Sequence, residues 1–449
     1  MKAVSDPVNP HRPDNPHRKV WAIAGPAIVA NSAAPLVGLV DTWVIGHLPG
    51  AVHLAAVSVG AMVFTYIFWA FGFLRMSTTG LAAQAHGKGD DDQLRRVIIR
   101  SLSIGLLIAL ALVCLQRPIF DIAMITLTPP EATKVHFAAY FDIRIWAAPA
   151  SLFIYGINGY LIGTARAKAA LLLQLVLNIS NGLLNLLFVM GLDMGVAGIA
   201  LGSLIAEWLA AILGLVILSR HMSLKALLEA AQQSQTWATD KMKRLINTNG
   251  YIFVRTLLLM TALGMVTRKA GDLGAESLAA SHVLSTFLLL ISLGLDGFAY
   301  AAEALAGAAY GKGGRDDFKH WVRISFFWVG LAAVLYTAGF ALFGKTLVFT
   351  LTDIEGVRTA ATGALHVLVW LPLIAFACYQ YDGIYIGATA GGAMMVTMAV
   401  AFAAFMLVVG PFTTHWGLEG LWWSVAVFMG TRGLAQALYY PRIERQLSA

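Results

Sequence analysis

The chain has little charge and little cysteine for its 449 residues. Asp, Glu, Lys and Arg make up 12% of it, apolar residues 58%, and the mean hydropathy is +0.72. A single water-soluble core of this size could not enclose so much apolar surface, so a soluble protein is excluded. The two cysteines, Cys114 and Cys378, lie at unrelated places in apolar runs. They predict neither a disulfide nor a metal site.

The sequence also lacks the motifs of the common enzyme classes. It has no Gly-rich phosphate loop with GK[ST], no HExxH, and no GxSxG in the context that its chemistry requires. We therefore expect no enzymatic activity and no cofactor. Without a phosphate loop ATP cannot be the direct energy source, so a mover of solutes would draw on an ion gradient. A membrane enzyme would need a nucleophile or metal cluster, and a channel would show flux that is independent of a pH gradient.

What the chain does have is long apolar runs. Each has roughly the 20 residues that cross a bilayer as a helix, and their continuous apolar character excludes barrel strands. The first seventeen residues are polar and hold four prolines, which predicts a tail rather than a signal peptide. We place twelve spans near 19–45, 54–78, 97–117, 136–160, 169–190, 195–219, 247–268, 278–307, 319–343, 359–386, 391–411 and 417–440.

The two halves of the chain repeat each other at a distance of about 224 residues. Gly87-Lys88-Gly89 recurs as Gly311-Lys312-Gly313, and Trp146 recurs as Trp370. Homologous helical halves are typical of transporters that rock one lobe against the other. The predicted fold is therefore an all-α polytopic membrane protein with two six-helix lobes related by pseudo-two-fold symmetry. Its predicted parts are a cytoplasmic tail (1–17), an N-lobe (18–220), a cytoplasmic linker (221–243), a C-lobe (244–440) and a cytoplasmic tail (441–449).

Basic residues are concentrated on one side of this predicted topology. Roughly 22 Lys and Arg fall in the N-terminal tail, the even-numbered loops and the C-terminus, against about 6 in the odd-numbered loops. Both termini are therefore predicted to be cytoplasmic. The net charge of +7 is then explained by topology and by contact with anionic lipid headgroups. The basic residues are scattered and no aromatic-rich binding module accompanies them, so we expect no nucleic-acid partner.

Asp41 is a carboxylate inside the first apolar run. An ionisable group at mid-membrane costs some 2.5–3.5 kcal/mol, so it needs a partner or a function. Because removal from water favours the protonated form of a carboxylate, Asp41 could load and release a proton as its surroundings open to either side. The alternative is a solvated position at the outer end of the helix. Pro26, about four turns earlier, gives the helix a place to bend. The alternative is that this proline has no part in movement.

Amide side chains form a second candidate cluster, on the fifth helix. Asn178, Asn181 and Asn185 share one helical face, and Asn158 and Ser203 could join them from neighbouring helices. Such groups could hydrogen-bond a carboxylic acid, water or a cationic substrate in a central cavity. The alternative is interhelical hydrogen bonding that only packs the lobe.

The second half carries more charge inside its spans. Asp296 and Glu303 share a face of the eighth helix, with Asp382 on the tenth and Arg255 on the seventh. These groups could form a cation site. We favour a neutralised structural network, because Arg255 supplies compensating charge.

Four stretches of the sequence resemble the multidrug and toxin extrusion (MATE) family, and specifically its DinF branch. They are VDTWVIGHL (40–48), FLRMSTTGLAAQAHGKGD (73–90), NGYLIGTARAK (158–168) and GLDGFAYAAEALAG (294–307). The resemblance runs over nearly the whole chain. It implies a two-lobed, twelve-helix antiporter of the bacterial inner membrane that exports cationic or amphiphilic compounds in exchange for protons or sodium ions. It also implies that Asp41 and Pro26 are the family's first-helix acid and bending proline, and that Asn181 and Ser203 belong to its N-lobe polar network.

Two departures from the family pattern bear on the coupling ion. Members commonly have Asp within an LDP or LDL motif on the fifth helix, where this chain reads Leu184-Asn185-Leu186. Asp41 is then left without the second N-lobe carboxylate that the family's proton relay commonly has. Sodium-coupled relatives have Glu on the seventh helix and Asp on the tenth, whereas Arg255 here would repel a sodium ion near Asp382. The expected coupling ion is therefore H+, with a sodium-coupled antiporter as the alternative.

A flippase for lipid-linked precursors, from the wider superfamily, is the other alternative. It would line its cavity with several arginines for pyrophosphate. We place only Arg144, Arg255 and Arg432 deep within the spans, and expect Arg144 to pair locally with Asp142. We expect a monomer whose partners are small organic cations or amphiphiles and membrane lipids.

Overall fold

The computed structural model describes residues 15–46 and 50–447, apart from the side chains of 34, 36–42 and 45. Helices make up almost all of this described part, which contains no strand. They are α1 (Pro16–Gly46), α2 (Ala51–Ala70), α3 (Phe73–Lys88), α4 (Asp91–Cys114), α5 (Gln116–Leu127), α6 (Glu131–Arg144), α7 (Ala148–Gly163), α8 (Ala167–Leu186), α9 (Gly195–His221), α10 (Leu224–Gln232), α11 (Thr239–Asp272), α12 (Ala275–Lys312), α13 (Arg315–Leu351), α14 (Glu355–Gly387) and α15 (Gly391–Glu444).

Ten segments of the described chain are long and apolar enough to cross a membrane. The last of them, α15, has 54 residues and is broken at Gly417, whose φ of +57° and ψ of −132° lie outside the helical region. Glycine tolerates that positive φ without steric cost, so α15 is two helices that meet at this residue. With α1, which has 31 residues, the described part of the chain contains the twelve membrane helices that the sequence predicts.

The repeat in the sequence is also a repeat in structure. The second helix of each half begins at Ala51 or Ala275 and ends at Lys88 or Lys312, at the offset of the sequence repeat. The two copies differ in one respect. The N-terminal copy is interrupted at Gly72, between α2 and α3, whereas α12 runs through without a break.

Glycines at equivalent positions hold each half together in the same way. A Cβ atom at Gly159 of α7 would lie 2.6 Å from the backbone oxygen of Arg75, and one at Gly383 of α14 would lie 2.4 Å from that of Ala299. Only glycine permits so close an approach of two helix backbones. Each half therefore packs its second helix against its fourth through the same contact, which confirms the pseudo-two-fold relation.

The two halves meet closely at the end of the molecule that carries the α3–α4 and α12–α13 loops, which we call the closed end. A Cβ at Gly87 would lie 2.1 Å from the oxygen of Ala308, and one at Gly311 would lie 2.3 Å from the oxygen of Gln84. The Gln84 amide nitrogen also donates to the oxygen of Gly387 over 2.8 Å. Backbones at van der Waals distance leave no passage here.

Helix α1 packs against the other half as well as its own. Val20 and Ile23 belong to the hydrophobic core of the C-terminal half. A Cβ at Gly297 of α12 would lie 2.3 Å from Ile28 Cγ1. Along the seam between the halves, α1 thus contributes apolar surface to both.

The segment between the halves docks on the N-terminal half. Helix α10 lies within the predicted linker, and a 3-10 turn, Ser234–Trp237, follows it. Arg100 of α4 is buried and donates to the backbone oxygens of Gln235, over 2.9 Å, and Thr236, over 2.5 Å. The lobe boundaries given above stay a prediction.

Candidate functional site: a cavity between the halves

A cavity of about 670 Å³ lies between the two halves. Leu263 and Thr267 of α11 and Ser285 and Leu289 of α12 border it, so it extends away from the closed end. A volume of this size is typical of sites for drug-sized ligands. The polar side chains that line the cavity are Asn31, Arg75, Tyr155, Asn158, Gln174, Arg255, Thr267, Ser285, Ser292, Asp296, Tyr300, Glu303, Tyr379, Asp382 and Arg432.

Two guanidinium groups hold Asp382 on one wall of the cavity. Arg255 of α11 and Arg432 of α15 both form ion pairs with it, and the Gln436 amide nitrogen donates to its Oδ1 over 2.6 Å. The side chains of Arg255, Arg432 and Asp382 are only 6%, 4% and 13% exposed. The structure thus brings together the predicted Arg255 and Asp382 and adds a second arginine. Gln436 escaped the sequence analysis, because a neutral amide in an apolar run gives little signal.

A second ion pair joins the two halves. Arg75 Nη1 of α3 donates to Glu303 Oε2 of α12 over 3.0 Å, and the Arg75 guanidinium lies 4.6 Å from the ring centroid of Tyr300. Glu303 is therefore neutralised by Arg75 and not by Arg255, so the predicted group is divided into separate clusters. Sequence reasoning missed Arg75, although it lies inside the predicted span 54–78. The rule that charges within spans need partners would have found it.

Asp296 is the third carboxylate of the cavity. It lies on the face of α12 that also carries Ser292, Tyr300 and Glu303, and it is partly exposed. It forms no hydrogen bond or ion pair with the other residues that the structure describes. The predicted residues Asp296 and Asp382 thus have different surroundings within one cavity.

The amide cluster lies inside the N-terminal half. Asn181 Nδ2 of α8 donates to Ser203 Oγ of α9 over 2.8 Å, which links the two helices. Within α8, Asn185 Nδ2 donates to Asn181 Oδ1 over 3.3 Å. Asn178 is buried beside them on α8. Of the five predicted residues, Asn158 alone borders the cavity. Asn181, Asn185 and Ser203 form contacts between α8 and α9, and Asn178 accepts a hydrogen bond from Gln174 of its own helix over 3.2 Å.

The predicted pair of Asp142 and Arg144 is wrong. The guanidinium of Arg144 donates to Glu207 of α9, which also accepts a hydrogen bond from Ser151. Asp142 is exposed. Residues two apart on a helix point to different sides, so this spacing cannot form a local pair.

Helix α1 is continuous across Pro26 and also across Pro35, which the sequence analysis did not single out. Pro26 lies within the described part and lies close to the cavity-lining residues Ala27 and Asn31. The backbone of Asp41 belongs to α1, but its side chain lies outside the described residues. The described residues contain no group of three His, Cys, Asp or Glu side chains that could hold a metal ion.

Comparison with known proteins agrees with this architecture. The family model MatE matches the chain twice, over residues 26–189 and 252–412, once in each half. DNA damage-inducible protein F of Escherichia coli (strain K12) is 36% identical over 427 residues, which cover 95% of this chain and 92% of the relative. The probable multidrug resistance protein NorM of Rhizobium meliloti is 26% identical over 94% of this chain and 93% of its own length.

Solved structures show the same fold. The outward-facing conformation of a multidrug resistance MATE family transporter matches with a TM-score of 0.85 and 18% identity, over 97% of both chains. MATE proteins are transporters and not enzymes, which agrees with the lack of enzyme motifs. The family model, the relatives and the fold lead to one conclusion: the chain belongs to the multidrug and toxin extrusion family, in its DinF branch.

Proposed function

We propose that the protein is a proton-coupled antiporter that exports cationic or amphiphilic organic compounds by alternating access. The observation that carries the proposal is the cavity between two repeated halves, together with their close packing at the closed end. A site that is sealed on one side and bordered by both halves is what a rocking movement of one half against the other needs.

The orientation follows from the basic loops. If the positive-inside rule places both termini in the cytoplasm, the closed end faces the cytoplasm and the cavity lies toward the outside. This arrangement corresponds to the state that releases an exported compound. The proposed location is the bacterial inner membrane, with membrane lipids around a monomer and with no nucleic-acid partner.

The surroundings of Asp382 favour protons over sodium ions. Hard cations bind oxygen ligands that are free to coordinate them. Here the Asp382 oxygens accept hydrogen bonds from Arg255, Arg432 and Gln436, so a sodium ion would have to displace two positive charges. We therefore propose H+ as the coupling ion and Asp41 as its carrier, with no other cofactor.

Coupling needs competition between the proton and the exported compound. A proton on Asp41 removes one negative charge from α1, and a cationic substrate is bound less well without that charge. The effect is reciprocal, because a bound cation lowers proton affinity by the same factor. Proton entry from outside would then favour release of the compound. Pro26 would let α1 change its arrangement between the two states.

One observation speaks for the flippase alternative: three arginines, Arg75, Arg255 and Arg432, line the cavity. All three donate to carboxylates of the protein. A pyrophosphate group would have to replace these carboxylates. Export of cations remains the better match to the cavity.

The test is transport in proteoliposomes. Proteoliposomes that contain the purified protein are loaded with ethidium, and a pH gradient is imposed across their membrane. They should extrude ethidium and move protons, whether or not sodium is present. Asp41→Asn should fold and insert but lose the gradient-driven transport. Asp193→Asn is the matched control, because Asp193 is exposed in a loop at φ +52°, a conformation that Asn also tolerates. Sodium-dependent transport, or wild-type rates in Asp41→Asn, would contradict the proposal.

A further inference from the structure

We propose that Asp296 is the residue of the C-terminal half that binds the positive charge of the transported compound, a monovalent organic cation with an aromatic or aliphatic body. This inference rests on the proposed role of the cavity in binding exported compounds. It adds to the charge of Asp41 on α1 a second carboxylate, in the other half, that contacts the ligand directly.

The first step is an account of the charges in the cavity wall. The described lining contains three arginines and three carboxylates. Arg75 donates to Glu303, while Arg255 and Arg432 both pair with Asp382. Every lining arginine is therefore hydrogen-bonded to a carboxylate other than Asp296. Arg75 attracts Asp296 through space, but its hydrogen bonds go to Glu303.

The second step is accessibility. The cluster of Arg255, Arg432 and Asp382 has one positive charge in excess, but its side chains are enclosed by protein. Glu303 is 2% exposed and is equally out of reach. Asp296 is partly exposed and borders the cavity. Among the described lining residues, its carboxylate is the charge that a ligand can meet without first breaking an ion pair.

The third step is the chemistry around Asp296. Tyr300 lies one turn further along α12 and Ser292 one turn before it, and Ser292 Oγ lies 2.6 Å from the hydroxyl of Tyr379 on α14. Both tyrosines border the cavity, as does Trp422. A carboxylate set among aromatic rings is what binds an organic cation, because the rings attract its charge and cover its apolar body.

A structural role is the competing explanation, in which Asp296 only balances the excess positive charge at Asp382. The two explanations differ in how ligand charge matters. A cation-binding carboxylate discriminates between ligands of the same shape and opposite charge. If Asp296 instead serves only to stabilise the fold, its removal would distort the cavity and weaken the binding of both ligands together.

The experiment uses tetraphenylphosphonium and tetraphenylborate, which have nearly the same shape and opposite charges. Binding to the full chain in nanodiscs is measured by calorimetry, with empty nanodiscs to subtract partition into lipid. Asp296→Asn should weaken tetraphenylphosphonium binding roughly tenfold or more, the scale expected when one partner of a desolvated charge pair is lost. Tetraphenylborate should bind this variant at least as well as it binds the wild type. Asp296→Glu, which keeps the charge, should retain most of the affinity for the cation.

Asp193→Asn is the control for net charge and should bind both probes as the wild type does. If Asp296→Asn does not fold, Asp296→Ser is measured against the same criteria. Unchanged affinity for tetraphenylphosphonium, an equal loss for both probes, or an equal loss in Asp193→Asn would overturn the inference. Its failure is distinct from failure of the proposed function. Cation binding through Asp296 without proton movement would refute proton coupling alone, whereas proton-coupled export with unchanged binding in Asp296→Asn would refute this inference alone.

Discussion

The two halves place different chemistry at equivalent positions of one cavity. At three such positions the N-terminal half contributes two amides and a glycine, and the C-terminal half contributes three charged side chains. The three equivalent pairs are Asn31 and Arg255, Gly72 and Asp296, and Asn158 and Asp382. The backbone contacts of Gly159 and Gly383 are nevertheless the same. A repeated scaffold thus keeps its helix packing while its cavity side chains diverge: the packing contact occurs in both halves, whereas at these three positions the charge belongs to the C-terminal half.

The difference has an energetic consequence. A neutral amide in a helix bundle contributes little and costs little when it is removed, since such interhelical hydrogen bonds average roughly 0.6 kcal/mol. A buried carboxylate must be paired, and removal of one partner leaves the other uncompensated. The same substitution should therefore have unequal effects in the two halves.

Asp382→Leu should give the largest loss of stability. It leaves Arg255 and Arg432 buried without their carboxylate, and breaking a buried pair in this way costs about 3–5 kcal/mol. The equivalent change Asn158→Leu removes no charge and should cost about 1 kcal/mol. Unfolding of the purified variants in detergent, followed by tryptophan fluorescence, gives the comparison. Equal losses at both positions would show that the charged cluster has no special part in stability.

Loss of Arg75 should rank next, because its ion pair with Glu303 joins the halves. Arg75→Met leaves Glu303 without its partner in a site that is 2% exposed, so the contact between α3 and α12 should weaken. Spin labels at Lys88 and Lys312, two exposed residues at the closed end, with Cys114 replaced by serine, report the separation of the halves. The distance distribution should broaden toward longer values. The ratio of separated to closed molecules should rise about tenfold for each 1.4 kcal/mol by which the contact between the halves is weakened.

The double variant Arg75→Met/Glu303→Gln serves as the control for this effect. It removes both charges, so it should restore stability more than it restores contact between the halves. If Arg75→Met leaves the distances unchanged, the ion pair does not contribute to closure.

A paired glycine substitution tests the part of the comparison in which the halves agree. A Cβ at Gly159 or at Gly383 would approach a backbone oxygen to 2.6 or 2.4 Å, so Gly159→Ala and Gly383→Ala must each move a helix. Overpacking of this kind costs about 1–3 kcal/mol, and we expect the two losses of stability to be similar. The same unfolding measurement decides the matter. A large loss of stability in only one of the two variants would mean that the repeated contact contributes more to stability in one half than in the other.

The sequence predicted the architecture better than it predicted the partners of buried charges. Span length and the repeat identified twelve helices in two halves, because lipid constrains both hydropathy and helix length. Partner choice depends on how helices turn toward one another, which spacing does not reveal. Glu303 pairs with Arg75, which is 228 residues away and in the other half. Arg144 likewise pairs with Glu207 on another helix rather than with a neighbour in sequence.

The smallest expected effect belongs to the amide cluster of the N-terminal half. Asn181→Ala and Ser203→Ala each remove the 2.8 Å hydrogen bond between α8 and α9, and each should lower stability by roughly 0.6 kcal/mol. The double variant should cost little more than Asn181→Ala alone, because the contact that Ser203→Ala removes is already lost in Asn181→Ala. If instead the variants keep their stability while ethidium export in proteoliposomes falls severalfold, the cluster serves transport and not packing. That outcome would also narrow the difference between the halves, since the N-terminal amides would then have a function that their small contribution to stability does not show.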